Sequence, residues 1–488
     1  MRASVRKSSP PIWRGIWRFL QDKRWLLIAI LVGIAAYLAP TPEGLSREGQ
    51  LVLVISVVSV VLFVTEPVPL PAVAFMIMVS QVLLLGRSST DVAQSLMSDS
   101  VLFIMGSLML AVAVVKQKLD KRLAYMIVRM SGTKTRNVAI GIATVSGLLA
   151  SVIGEHTVAA MMLPVALTLI TLTSDDPKKV RGLAAVLLFS IAYGCSIAGI
   201  GTPSGGARNA IMVGYWKEFF YNPDDPNTAK YLVDYVKWVI VSYPVFLAQL
   251  PFITIILFTT FKPEYKHLTR AVVKLRTQIE LEGPMQPTHF LTIGLFFMTL
   301  MGWIFFSNSI GLGMIALMGG IAFMVFGLVR WEDLNSGVNW GVVWLYAAAI
   351  SLGIEMKDTG AALWLADSFL KVLPASMEQG VPLLASVSVL TTLVTNTMSN
   401  GAAVAVLGPI TLNLAHTTGA SELVVGFVTA ISSAFAYLTV IGTPACTIVY
   451  ASGYLKTTDF LKVGYKMVIM STIILLIFAA FYWPMIGL

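Results

Sequence analysis

Cysteine is nearly absent: Cys195 and Cys446 are the only two in 488 residues, far apart and both in apolar surroundings. Neither a disulfide framework nor a thiolate metal site is available from them. Histidine is almost as scarce, and none of His156, His267, His289 and His416 has metal-ligand spacing with another. Charged residues make up only 12% of the chain, about half the roughly 25% of soluble domains. P-loop, Gly-x-Ser-x-Gly, His-Glu-x-x-His and haem-attachment patterns are missing, so ATP-driven transport and intramembrane proteolysis lack their parts and no enzyme is indicated. There is no low-complexity tract and no stretch that reads as a soluble domain.

What is present is hydrocarbon. The chain is 57% hydrophobic with mean hydropathy +0.80. Apolar stretches near twenty residues recur along it, each enough to cross hydrocarbon about 30 Å thick as a helix. The fold class is therefore an all-α polytopic membrane protein, with the lipid bilayer as its solvent. The net charge of +9 sits in loops, where it orients spans rather than binding nucleic acid.

Charge then predicts a topology. Residues 1–24 carry Arg2, Arg6, Lys7, Arg14, Arg18, Lys23 and Arg24 and read as a cytoplasmic N-terminal segment with no clear signal-cleavage site. Spans near 25–40, 49–64, 68–86 and 101–116 lead to a loop holding Lys116, Lys118, Lys121, Arg122, Arg129, Lys134 and Arg136, as the positive-inside rule requires. Residues 137–173 read as two short apolar helices around a break at Gly154–Thr157, a re-entrant hairpin entering from the inside. After Asp175–Arg181, a span from 182 to about 215 is broken at Gly199–Gly206 and reaches an acidic outer loop with Glu218, Asp224, Asp225 and Asp234. The span 235–261 returns to Lys262, Lys266, Arg270, Lys274 and Arg276. Spans near 289–307, 313–330 and 339–356 precede a more acidic arm with Asp358, Asp367 and Glu378. A second hairpin, 381–418, enters from outside, and the span 421–452 breaks at Ile441–Pro444 before a last span near 465–485.

The expected plan is an inverted repeat of about eleven transmembrane helices with two opposed re-entrant hairpins, N-terminus inside and C-terminus outside. It divides into residues 25–136 and 235–380, outer helices with their arms, and 137–234 and 381–464, each a hairpin with its broken helix; 465–488 holds the last helix. Paired interruptions of hydrophobic segments point to a midplane binding site in a secondary transporter. Broken helices expose free N–H groups and positive dipole ends to an anion, while their carbonyl and hydroxyl oxygens suit a small hard cation. The same small residues also permit close helix packing without any site. An anion channel is the competing class, and it would show rings of like residues along one axis rather than polarity gathered at two tips.

The motifs carry a resemblance. Gly154–Pro164 and Ser399–Pro409, with Thr65–Pro71, Gly353–Gly360 and Ser452–Phe460, make the chain similar over almost its whole length to the divalent anion–sodium symporter family. That resemblance implies a scaffold that usually forms a homodimer, an elevator-type transport domain, a di- or tricarboxylate or sulfate as substrate, and sodium as coupling ion, with no other cofactor. It places the second sodium ion at Thr395, Asn400, Gly442 and Pro444, and substrate at Ser399, Asn400, Gly401, Thr443 and Pro444, with Gly401 where the family motif has Thr and Cys446 where it has Asn.

The first site departs from the family. Its Ser-Asn-Thr positions hold Gly154, Glu155 and His156, followed by Thr157, and Gly205-Gly-Ala-Arg-Asn209 replaces the partner Gly-Thr-Pro-Pro-Asn. The set Ser151, Gly154, Glu155, Gly201 and Arg208 therefore reads as a degenerate sodium site, and Glu155, His156, Thr157, Arg208 and Asn209 as its substrate side. Ionised groups at this depth cost at least about 2.5–3.5 kcal/mol, so they are expected to pair. A bidentate Arg208–Glu155 bridge is expected, with Arg208 replacing the first sodium ion or the bridge only locking hairpin to broken helix. His156 is placed to bind substrate or carry a proton.

The sequence thus predicts a secondary transporter of small divalent anions, most readily di- or tricarboxylates, coupled to sodium. A proton-coupled carrier or an anion exchanger is the alternative within the class, and the expected location is a bacterial inner membrane.

Overall fold

The computed structural model describes residues 23–117, 119, 131–174, 176–280 and 284–488. The basic residues Arg2, Arg6, Lys7, Arg14 and Arg18, loop residues Lys118, Lys121, Arg122 and Arg129, and Asp175 lie outside the described residues.

Regular structure among the described residues is helical. α1 (Arg24–Leu38) and α2 (Arg47–Thr65) pack together, and the Ser46 hydroxyl starts α2 by accepting from the Gly49 amide at 2.9 Å. α2 stops at Glu66, which has φ 42° and turns the chain into Pro67–Pro69. α3 (Leu70–Leu85), the short α4 (Ser89–Ser95) and α5 (Asp99–Lys116) follow. α6 (Thr135–Ile153) and α7 (Glu155–Thr173) are separated by Gly154 alone. α8 (Arg181–Ala198) is followed by an unwound stretch with a 3₁₀ turn at Pro203–Gly205, then α9 (Ala207–Phe220).

α10 (Tyr235–Thr260), capped by Asp234, leads to α11 (Thr269–Glu280), α12 (Pro287–Ile310) and α13 (Leu312–Val325). α14 (Trp331–Gly337) meets α15 (Trp340–Asp358) at a 65° bend. α16 (Ala361–Leu370), α17 (Gly380–Thr395), α18 (Asn400–Thr418), α19 (Glu422–Ser432), α20 (Pro444–Tyr450) and α21 (Thr457–Ile477) complete the fold, the last running on through a π turn to Met485. Among the described residues eight helices are able by length and composition to cross a membrane, or nine if the bent pair counts as one span; α1, α3, α13, α16, α17 and α19 are shorter apolar helices beside them.

The α6–α7 pair doubles back on itself. The Thr135 amide donates to Lys266 O at 3.0 Å at the start of α6, and the Gly182 amide at the start of α8, which follows α7 by a short connection, donates to Glu264 Oε1 at 2.8 Å. Both ends are thus held by one short segment, 264–266, so Gly154 sits at the far end as the tip. Each arm is 19 residues, longer than the short arms expected from the sequence, and passes as a span by length and composition. The second break also differs in extent: helix is lost from Ser433 onwards, well before Ile441.

Packing repeats with the halves exchanged. α9, the helix after the first break, packs on α18 of the second hairpin, while α20, after the second break, packs on α7 of the first. α8 packs on α6 and α7, as α19 does on α17 and α18. The outer helices form other pairs, α5 with α13, α3 with α15 and α12 with α13.

Glu355 is half of a cross-link. Arg87 Nε lies 3.0 Å from both Glu355 oxygens and Nη2 lies 2.9 Å from Oε2. Glu355→Gln is expected to lower stability by about 1 kcal/mol, since the pair is bidentate but partly solvated. The difference in thermal midpoint between variant and wild type in detergent should shrink on going from low to high salt.

Candidate functional site

Gly154 makes the first tip possible. Its φ of 99° with ψ 145° is a backbone region that side chains avoid, so only glycine turns α6 into α7 here without strain. The break is narrower than the Gly154–Thr157 expected from the sequence: Glu155, His156 and Thr157 form the first turn of α7. A carboxylate there meets the positive end of the helix dipole.

The unwound stretch between α8 and α9 is held by its own polar side chains. The Thr202 hydroxyl donates to Ser151 O on the first hairpin, and its Oγ1 lies 3.1 Å from Ser204 Oγ, which in turn is 3.2 Å from the Tyr235 hydroxyl. Asn209 Nδ2 donates to Gly199 O and Thr202 O, both at 2.7 Å. Arg208 follows directly on the start of α9, where a positive charge faces a positive dipole and needs a compensating partner.

Glu155 is that partner, but the bridge is not the bidentate one expected. Arg208 Nη1 lies 3.3 Å from Glu155 Oε1, with side-chain exposures of 1% and 9%. Asn400 Nδ2 donates to the same oxygen at 3.2 Å. One oxygen thus joins both hairpins to the first broken helix, and this sharing draws the carboxylate away from a parallel fork. Glu155 Oε2 and Arg208 Nε and Nη2 are buried without a hydrogen-bond partner among the described residues. The guanidinium lies over the unwound backbone: a Cβ on Gly199 would come 2.5 Å from Nη2, and one on Gly206 2.9 Å from Nη1. Gly201, expected in this set, packs on the Tyr243 ring instead. The Ser151 hydroxyl donates within its own helix to Leu148 O at 2.8 Å.

The second tip is built around Thr395, Asn396, Ser399 and Asn400. Thr395 Oγ1 lies 2.7 Å from Ser433 O and 3.0 Å from Asn400 Oδ1. Its hydroxyl carries one hydrogen, so it satisfies one of those two acceptors and leaves a buried, oxygen-rich corner. Asn396 explains the long unwinding after α19. Its Nδ2 donates to Phe435 O at 3.2 Å, its Oδ1 accepts from the Leu438 amide at 2.9 Å, and its carbonyl accepts from the Thr439 hydroxyl at 2.9 Å. Free backbone groups that a membrane would otherwise leave unpaired are thereby satisfied. Gly442, expected beside Thr395, is turned against Ala436 O. Thr443 caps α20 by accepting from the Cys446 amide at 3.1 Å and is fully buried.

These parts surround one cavity of about 210 Å³. Gly154, Glu155 and His156 reach it from the first tip, Pro203–Arg208 from the first break, Ser399, Asn400 and Gly401 from the second tip, and Pro444 from the second break. The opposite wall comes from α5 (Phe103, Ile104, Ser107, Leu108) and from Asn339, Val342 and Tyr346 at the start of α15. Of the expected substrate residues, Thr157, Asn209 and Thr443 do not line it. Asn396, Ser433 and the wall residues were missed. Asn396 stood only four residues before the recognised Asn400, a signal that was available; nothing in the sequence marks Tyr346 as a neighbour of residue 401.

Three helices, α7, α9 and α18, direct their N-terminal residues into the cavity, alongside the Arg208 guanidinium. Free amides and dipole ends gathered in this way favour a negative ligand. The oxygen corner beside it, formed by Thr395 Oγ1, Ser433 O and Asn400 Oδ1, has the chemistry of a hard-cation site.

The family described as "Sodium:sulfate symporter transmembrane region" matches residues 21–488. A relative from Haemophilus influenzae described as an uncharacterized transporter is 27% identical over 415 residues, covering 82% of this chain and 84% of its own. The sodium-dependent dicarboxylate transporter SdcS of Staphylococcus saprophyticus is 23% identical over 489 residues, 94% of this chain and 91% of its own. The sodium-dependent high-affinity dicarboxylate transporter 3 of Caenorhabditis elegans is 24% identical over 451 residues, covering 83% and 78%. Among solved structures, MtrF of Neisseria gonorrhoeae superimposes with TM-score 0.55 at 12% identity over 94% of each chain. The YdaH transporter of Alcanivorax borkumensis gives 0.50 at 13% over 81% of this chain and 86% of its own. At these identities the superpositions speak to the fold alone.

Proposed function

Because the chain belongs to the sodium:sulfate symporter transmembrane family, and is therefore an integral membrane transporter and not an enzyme, we propose that it carries di- or tricarboxylates coupled to sodium through the second ion site. The observation that carries the anion is the convergence of three helix N-termini and Arg208 on one cavity between the two tips. The names of two relatives, both sodium-dependent dicarboxylate transporters, support the substrate class.

Sodium enters as a co-substrate. Thr395 Oγ1, Ser433 O and Asn400 Oδ1 would hold it at the second site, neutralising part of the anion's charge beside the cavity. At the first site a fixed guanidinium lies over the Gly199–Gly206 break, so a second sodium ion has no place there and Arg208 supplies its positive charge. Substrate then meets His156 and the free amides of α7 and α9 on one side and Ser399, Asn400 and Gly401 on the other.

The hairpins and broken helices would move as one body against α5 and α15, which hold the opposite wall of the cavity. The cavity reaches the exposed Asn339 beside α14, and Asp333 of α14 is joined to Lys116 at 2.5 Å. Charge assigns Lys116 to the cytoplasm, so this conformer is open inward, in an inner membrane with the N-terminus inside. A second copy of the chain would brace the outer helices, as in a homodimer.

Uptake of labelled succinate, citrate and sulfate into proteoliposomes, with sodium or proton gradients imposed separately, tests the reading. Sodium-driven uptake of a carboxylate is expected, and Thr395→Ala should raise the half-saturating sodium concentration about tenfold, the loss of one ion ligand worth about 1–1.5 kcal/mol. Proton-driven uptake without sodium would move the coupling to Glu155 and His156, which line the same cavity; uptake only against internal substrate would make the protein an exchanger.

A further inference from the structure

The cavity wall facing the second tip contains a side chain that the motif at that tip has made room for. Gly401, the second residue of α18, stands where the resembling motif carries Thr. A Cβ on Gly401 would collide with Cε1, Cζ and Oη of Tyr346, all nearer than real side-chain atoms approach. Tyr346 is 8% exposed, with its hydroxyl beside Ser399. On α15 it follows Asn339 and Val342 at spacings of three and four, so the three form one helical face lining the cavity, with Tyr346 the furthest from the exposed helix start. The ring therefore occupies the volume of the missing residue-401 side chain, but it enters from the opposite wall.

We propose that Tyr346 is a specificity-determining residue: its ring closes the cavity beside Gly401 and restricts the carrier to short dicarboxylates, excluding bulkier tricarboxylates such as citrate. The inference rests on the carboxylate reading above. A side chain at the tip would travel with the substrate; a ring on the facing wall limits substrate size only where the tip docks against α15. An aromatic ring offers a stiff wall with two torsions, so a larger acid has little chance of pushing it aside. The hydroxyl adds a donor beside Ser399, on the wall that faces the second tip, where a substrate carboxylate can meet it.

The test is competition of unlabelled citrate against labelled succinate in proteoliposomes bearing wild type, Tyr346→Ala, Tyr346→Phe, Gly401→Thr and the Tyr346→Ala/Gly401→Thr double variant. In wild type citrate should compete at least about tenfold more weakly than succinate, the scale on which a shaped apolar pocket discriminates. Tyr346→Ala should bring the two acids to within about threefold, by the same reasoning. Tyr346→Phe should keep the exclusion of citrate while raising KM for succinate with little change in kcat. Gly401→Thr alone should lose uptake, and the double variant should regain it. Should Tyr346→Ala not fold, Tyr346→Leu carries the same expectation.

Succinate uptake with citrate exclusion unchanged in Tyr346→Ala or Tyr346→Leu overturns the inference and leaves the carboxylate reading intact. So does full activity of Gly401→Thr with Tyr346 in place. Wild-type vesicles that take up neither acid overturn the carboxylate reading, and the size filter with it.

Discussion

Arg208→Ala is expected to abolish uptake and to destabilise the protein by about 3–5 kcal/mol, the cost of breaking a buried ion pair from one side. Glu155, 9% exposed, would be left with the Asn400 hydrogen bond and the positive end of α7 but no countercharge. Removing both charges at once, as in Arg208→Met/Glu155→Leu, should return most of the thermal midpoint, because an apolar pair of similar volume escapes the desolvation penalty. The two readings of the pair separate at that point. A bridge that only locks hairpin to broken helix predicts that uptake returns with stability. A guanidinium acting in place of a sodium ion predicts a folded double variant that still fails to carry the anion, and we expect this second outcome. Thermal unfolding in detergent and uptake in vesicles, measured on the same preparations, check it.

Gly205→Ala is expected to cut uptake at least about tenfold and to cost about 1–3 kcal/mol, as overpacking in a filled interior does. A Cβ at residue 205 would lie 2.8 Å from Gly199 O and 3.0 Å from Ser151 O. Both are backbone atoms, so no rotamer change relieves the contact. Relief requires the first hairpin to move away from the broken helix, and that breaks the Thr202 hydroxyl bond to Ser151 O. Gly294→Ala is the matched control. It lies inside α12 with open space around it, and its Cβ would meet nothing within 4 Å. Alanine there should be neutral or stabilising by about 0.5–1 kcal/mol, the ordinary helix preference over glycine. Equal losses in both variants would remove the steric argument.

Charged residues at the first tip were legible because hydrocarbon makes them conspicuous. Glu155 and Arg208 lie 53 residues apart in sequence, yet ionised groups in apolar segments have few partners to choose from, and each was the other's best option. The geometry of their pairing was not legible. Asn400 takes part of the same carboxylate oxygen from the other half of the chain, and no local pattern announces a third partner 245 residues away. The second break was recognised by its Gly-Thr-Pro, but its true length depends on Asn396 bonding to Phe435, Leu438 and Thr439. A helix propensity carries no record of such bonds.

The sequence by itself determined the solvent, the class and the two tips. Scarcity of charge together with long apolar runs forces helices through a bilayer, and in hydrocarbon a helix is interrupted only where the protein supplies a cavity to receive its free backbone groups. Only the tertiary structure decided how the cavity is walled and what shares each polar atom. Tyr346 fills the space over Gly401 from a helix with no sequence relation to the second tip, and Ser433 O joins Thr395 and Asn400 through an unwinding that tertiary hydrogen bonds maintain. The physical reason is range: burial and backbone satisfaction act on each segment along the chain, whereas steric fit and shared hydrogen bonds exist only after distant segments have met.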